Sequence, residues 1–172
     1  MFQKGDYIIY GGSGVCLVEE VGPMDMAGTV RGKLYYTLRP MYSGSSTIFT
    51  PTDNDKIVMR YILTREEAKC CMESVELAEP LEIGEERKRE EMYREILRGC
   101  DCYACLRLLK TLYGRQRIRL ESGKKVAALD ERYMKMAEDS LFGELAASLG
   151  KKREEVREKV YEKISDKVLT TN

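Results

Sequence analysis

The stretch FQKGDYIIYGGSGVCLVEEV, Phe2 to Val21, decides how this chain folds. Lys4-Gly5-Asp6 is turn chemistry, and Tyr7-Ile8-Ile9-Tyr10 is a short β-branched and aromatic run. Gly11-Gly12-Ser13-Gly14 can take the positive φ angles that a Cβ resists, so it reads as a tight turn. Val15 to Val21 is a second β-rich run. Together they predict the opening hairpin of a small barrel.

Working outward, Gly22-Pro23 and Ala27-Gly28-Thr29 mark a loop, and Lys33 to Arg39 is a third strand. The turn-rich Pro40 to Ser46 leads to a strand at Ser46 to Thr50, and Lys56 to Met59 follows the Asp53-Asn54-Asp55 turn. Five short strands over residues 1–61 fit an SH3- or Tudor-like β-barrel. Its charges balance, which suits a protein-binding module better than a nucleic-acid one.

Composition changes after Tyr61. Thr64-Arg65-Glu66-Glu67 is a capping box that opens a helix, with Ala68, Cys71, Met72 and Val75 on one face. Pro80 and Gly84 mark a bend before a helix expected over Glu85 to Arg98. Asp101 is placed to cap the next helix, whose stripe is Cys102, Cys105, Leu106, Leu109, Leu112 and Tyr113. Ser122-Gly123 breaks that pattern. Leu129 to Leu149 is the longest predicted helix, stopped by Gly150, and Val156, Val160 and Ile164 pattern a last one. The expected class is α+β: a barrel at 1–61, a helical domain of about five helices at 64–166, and a polar tail at 167–172.

Bulk properties narrow the function. Of the 172 residues 34% are charged, yet the formal net charge is zero, so no global pull toward nucleic acid exists. No apolar run approaches a membrane span and no signal-peptide pattern is present, so a cytoplasmic protein without a membrane partner is expected. The chain has no histidine, which excludes imidazole acid–base chemistry. Because nothing in the sequence is secretory, the six cysteines should be reduced thiols.

Cys100-x-Cys102-x-x-Cys105, with Cys70-Cys71 upstream, invites a metal or redox reading. Cys102 and Cys105 share a face with Leu106 and Leu109, however, and small-hydrophobe packing accounts for them. No metal site is assigned. The glycine-rich turn leads into a strand rather than a helix, so it is not a phosphate loop. The paired acids Glu85-Glu86 and Glu90-Glu91 alternate with Arg87, Lys88, Arg89 and Arg94, which predicts weak i,i+4 ion pairs on a solvated face. No catalytic constellation emerges, so neither an enzyme nor a cofactor or small-molecule substrate is expected. One run stands out: Arg107, Lys110, Arg115, Arg117, Arg119, Lys124 and Lys125, opposed only by Glu121. Arg107 and Lys110 are expected to face outward, and the cluster that follows suits phosphate.

The Phe2-x-x-Gly5-Asp6-x-Ile8-x-Tyr10-x-x-x-Gly14-Val15 pattern resembles the start of the bacterial CarD/CdnL family and of the polymerase-interacting module of transcription-repair coupling factor. The resemblance continues at Tyr35-Tyr36-Thr37-Leu38, Thr47 to Asn54 and Ala137 to Leu149. It implies a Tudor-like domain that docks on the RNA polymerase β subunit, with Tyr36, Ile48 and Phe49 as contacts. It also implies a helical domain that holds promoter DNA and favours the open complex, with Arg87, Lys88, Arg89, Arg115, Arg117, Lys124 and Lys125 on phosphates. Two departures accompany it. Matching the family's basic pair to Lys88-Arg89 puts Glu86 near the position of its wedge tryptophan, and this chain has no tryptophan. Phe49 stands where some members have a polymerase-gripping arginine. The alternative is an adaptor whose helical domain binds protein, and a thiol-based metal or redox sensor is a third reading.

Overall fold

A computed structural model describes residues 1–42, 44 and 46–170. The chain divides into two compact units, Met1–Ile62 and Leu63–Asn172. Its class is α+β, an antiparallel five-stranded sheet followed by five helices.

The first unit contains β1 (Tyr7–Tyr10), β2 (Val15–Pro23), β3 (Leu34–Pro40), β4 (Ile48–Pro51) and β5 (Met59–Tyr61). They pair in the order β4-β3-β2-β1-β5, which leaves β4 and β5 at the two edges. Alternation along each strand builds the core: Ile8, Tyr10, Cys16, Val18, Tyr36 and Leu38 face inward, with Ile48 and Met59 packed against them. A bulge between Val18 and Glu20 shifts the pleat by one residue. Val21 therefore stands opposite Tyr36 and returns to the core.

Gly11 to Ser13 form a single 3₁₀ turn between β1 and β2. Gly11 has φ +45, and a Cβ there would lie 2.7 Å from Ile57 Cγ2. Its N–H donates to the Val58 carbonyl at 2.9 Å. Lys56 and Ile57 form a bend, with Ile57 packed on the sheet core, and β5 begins at Met59 rather than at Lys56.

The second unit contains α1 (Arg65–Glu73), α2 (Arg89–Gly99), α3 (Cys102–Glu121), α4 (Ala128–Leu149) and α5 (Arg153–Thr170). Both halves of the capping box form: Glu67 N–H donates to Thr64 Oγ1 at 3.2 Å and Thr64 N–H to Glu67 Oε2 at 2.8 Å. Asp101 caps α3 by accepting from Ala104 N–H at 2.6 Å. Gly150, at φ 65, ends α4.

In the helical unit two boundaries differ from expectation. Glu86 to Lys88 form a separate 3₁₀ turn and α2 starts at Arg89, so Arg87 is out of register for its expected pairing with Glu91. Helix α3 carries Arg115, Arg117 and Arg119 and ends at Glu121, where Ser122-Gly123 breaks the pattern as expected. Helix α5 continues through residues 167–170, which the sequence reading places in a polar tail; Thr171 and Asn172 lie outside the described residues.

The helical core packs Leu106, Leu108, Leu109 and Leu112 of α3 against Ala137, Leu141 and Leu145 of α4 and Val156 and Val160 of α5. Lys110 and Arg107 do not face solvent freely as expected. Lys110 is 8% exposed, and its Nζ donates to the Val75 carbonyl at 2.7 Å. Arg107 Nε donates to the Glu79 carbonyl at 2.8 Å, and Thr111 Oγ1 accepts from Leu81 N–H at 2.8 Å. One face of α3 thereby supplies hydrogen-bond partners to the irregular 75–81 segment, whose backbone has no helix to serve it. No helix among the described residues is long and apolar enough to cross a membrane.

Candidate functional site

In the sheet unit the pleat separates the three residues expected at a polymerase contact. Thr37 opposes Phe49 and Leu38 opposes Ile48, so adjacent residues of β4 face opposite sides. Tyr36 is 1% exposed and belongs to the core, where its hydroxyl accepts from Phe2 N–H at 3.0 Å. Its side chain is closed to a partner, which corrects the expectation. Ile48 is half-buried against the same core. Phe49 is 45% exposed on the outer face.

Phe49 does not stand alone. It joins Met24, Met26, Tyr35 and Pro51 around an open cleft of about 330 Å³. The β2–β3 loop is shaped to line it: Thr29 Oγ1 donates to the Met24 and Met26 carbonyls, and Val30 N–H donates to Tyr35 Oη at 3.0 Å. Strand β4 also keeps one edge without a strand partner among the described residues. A strand edge beside an apolar cleft can accept an extended segment by main-chain pairing and anchor a side chain next to it. Met24 and Met26 escaped the sequence reading because a turn-rich loop carries no signal of where it folds back.

In the helical unit the seven cations expected at phosphate fall into two groups. Asp130, in the first turn of α4, is buried. Arg115 Nε donates to its Oδ2 at 2.9 Å, Arg89 Nε to its Oδ1 at 3.3 Å, and Tyr93 Oη to the same Oδ1 at 3.3 Å. Glu86 closes the cluster, accepting from both terminal nitrogens of Arg115 at 2.8 and 3.0 Å. The Arg115 fork holds the Glu86 carboxyl below its ordinary range, and that hydrogen bonding raises the Arg115 guanidinium in return. Burial, reinforced by Asp130, pushes the Tyr93 phenol up to about 12. Two arginines against two carboxylates leave no net charge for a ligand. Arg89 and Arg115 are therefore braces between the 3₁₀ turn, α3 and α4, with their donors already engaged by carboxylates, which sets them apart from the other five expected phosphate contacts.

The other five remain on the surface. Arg87, Lys124 and Lys125 are exposed and make no ion pair among the described residues. Lys88 pairs with Glu85 at 3.0 Å and Arg117 with Glu121 at 3.0 Å, both exposed pairs of the weak kind that a phosphate displaces. Arg119 orders the loop after α3: its carbonyl accepts from Lys124 N–H at 2.8 Å and its Nε donates to the Lys125 carbonyl at 2.7 Å. Among these cations stand two apolar side chains that sequence reasoning passed over, Ile118 at 65% and Leu120 at 57% exposure. Ile118 gave a signal, since it lies on the face opposite the stripe that reaches Tyr113; Leu120, seven residues after Tyr113, falls in line with that stripe and gave none.

The family model of the CarD-like/TRCF RID domain matches residues 2–62. No curated protein matches the chain.

Proposed function

Residues 2–62 belong to the CarD-like/TRCF RID domain family, and from that premise we propose a transcription regulator that docks its sheet unit on the β subunit of RNA polymerase and its helical unit on promoter DNA. The observation that carries the docking is Phe49, exposed on an edge strand beside the Met24–Met26 cleft. A strand of the polymerase lobe extends the sheet at β4, and Phe49 packs against its apolar side chains. On the helical unit, Arg87, Lys88, Arg117, Lys124 and Lys125 hold phosphates, while Ile118 and Leu120 lie against the groove between them. The mechanism involves no covalent step: tighter binding to melted than to closed promoter shifts the melting equilibrium by that difference in affinity.

Capture of a purified β-lobe fragment by the full chain tests the docking. Phe49→Ala should abolish capture while leaving the fold intact, because an exposed side chain contributes little to the core. Capture undiminished by the substitution would remove β4 from the interface. The exposed Ile118–Leu120 pair also suits an adaptor reading, in which the basic helix end meets an acidic protein surface. A gel shift with forked promoter DNA separates the two readings, since the adaptor leaves the DNA unshifted.

A further inference from the structure

The sulfurs of Cys71 and Cys102 lie 3.8 Å apart although 31 positions separate them in sequence. Cys71 is in the last turn of α1 and is partly exposed; Cys102 is the first residue of α3 and is buried. Like the other four cysteines, both are free thiols. Cysteine packing alone asks only that each sulfur touch carbon. Here two thiols from different helices hydrogen bond to each other, and one of them opens to solvent.

We propose that Cys71 and Cys102 form a peroxide-oxidisable dithiol that closes to an intramolecular disulfide joining α1 to α3. Between the two thiols Cys71 donates, but once Cys71 ionises the Cys102 S–H donates to its thiolate; that hydrogen bond lowers the Cys71 pKa, while the same bond and burial raise that of Cys102. The Cys71 charge also lies at the N-terminal end of α3, where the helix dipole favours an anion. These asymmetries assign the roles. The Cys71 thiolate attacks one oxygen of hydrogen peroxide, the O–O bond breaks, and hydroxide leaves, giving a sulfenic acid. The Cys102 sulfur then displaces the sulfenic oxygen, the S–S bond forms, and its proton departs with that oxygen as water. Two thiols lose two electrons to peroxide, which becomes two waters. The closed loop holds α2 together with the 75–81 segment and the 3₁₀ turn, the last two of which α3 already gathers through Arg107, Lys110, Thr111 and Arg115.

Stoichiometric hydrogen peroxide, added to dilute reduced full chain, tests this. The free-thiol count should fall by two, with an intact mass lower by two hydrogens and no dimer. Because Cys70 neighbours Cys71 and Cys100 lies near Cys102, the cross-linked peptide is read in the Cys70→Ser/Cys100→Ser variant, which should keep the link. Cys71→Ser should lose it, and Cys102→Ser should lose it and leave a Cys71 sulfenic acid that dimedone traps. A link that survives either substitution, or wild-type protein whose thiols gain oxygen without closing, would overturn the assignment. The wild-type mass and thiol count stand even if a serine variant folds poorly.

Discussion

The sheet unit and the helical unit treat charge in opposite ways. In the sheet unit Lys33–Asp53 at 2.8 Å and Arg39–Glu19 at 3.0 Å are surface pairs, and Thr50 is its one buried polar residue among those described. The helical unit buries Lys110, Thr111, Asp130 and Glu144. Backbone satisfaction explains the contrast. Strand pairing consumes the N–H and C=O groups of a sheet, and its connections run over the surface where water serves them. The helical unit folds irregular chain onto its helices, so side chains must reach back to that backbone. Lys110 does so at Val75, and Glu144 does so at Leu63, whose N–H it accepts at 3.0 Å. A cation in a surface pair of the sheet unit gives up little to meet a partner; in the helical unit, a cation first has to be shown not to be a brace.

The largest expected effect breaks or keeps that contrast directly. Asp130→Ala removes the buried acceptor of Arg89, Arg115 and Tyr93 together and leaves two arginines to share the single exposed carboxylate of Glu86. It should cost about 3 kcal/mol in urea unfolding of the full chain. Asp53→Ala, which removes a fully solvated partner, should leave the unfolding curve unchanged. Equal losses from the two substitutions would erase the difference between the units.

A second comparison works within the helical unit and reads DNA instead of stability. Lys124→Glu/Lys125→Glu should weaken promoter binding and flatten its salt dependence by about two units of log–log slope, while thermal unfolding stays as in wild type. Arg115→Ala should do the reverse, lowering stability and leaving the slope alone, because its fork is already filled by Glu86 and Asp130. If Arg115→Ala lowers the slope as the lysine pair does, the braces contact phosphate after all.

How much of this was legible depended on how far along the chain each interaction reaches. The Thr64–Glu67 box, the Asp101 cap and the Gly150 stop span three or four residues, and all three form where the sequence puts them. The engagement of Arg89 and Arg115 was not legible, because their partner Asp130 is 41 and 15 positions away. Nothing local distinguishes a solvated arginine from one that will meet a buried carboxylate. Lys110 was misread for a related reason: a helical wheel assumes one buried face, and α3 is covered on two. Tyr36 and Phe49 sat within reach of pattern alone. Ile48 and Phe49 are adjacent in a strand, so only one could face the core, and the pairing of Leu38 with Ile48 decides which. The Glu86 that stands near the expected wedge position also finds its account in long-range pairing, since Arg115 needs a carboxylate there.

The smallest expected effect follows from that same carboxylate. Its folded value is lowered by Arg115, so Glu86 stabilises the folded state fully when the pH is above the unfolded carboxylate value. The contribution fades as pH falls through the lowered folded value, where the proton that binds the unfolded chain also binds the folded one. Glu86→Gln keeps the shape and the hydrogen-bond acceptor but carries no charge to lose. Wild type should therefore melt above the variant near neutrality, and the gap should close as pH is lowered from about 7 to about 3 at fixed ionic strength. Because the Glu86 side chain is mostly exposed, screening keeps the gap small, and added salt should narrow it at neutral pH as well. A gap that widens on acidification would mean that the 3₁₀ turn is held to α3 by something other than the charge on Glu86.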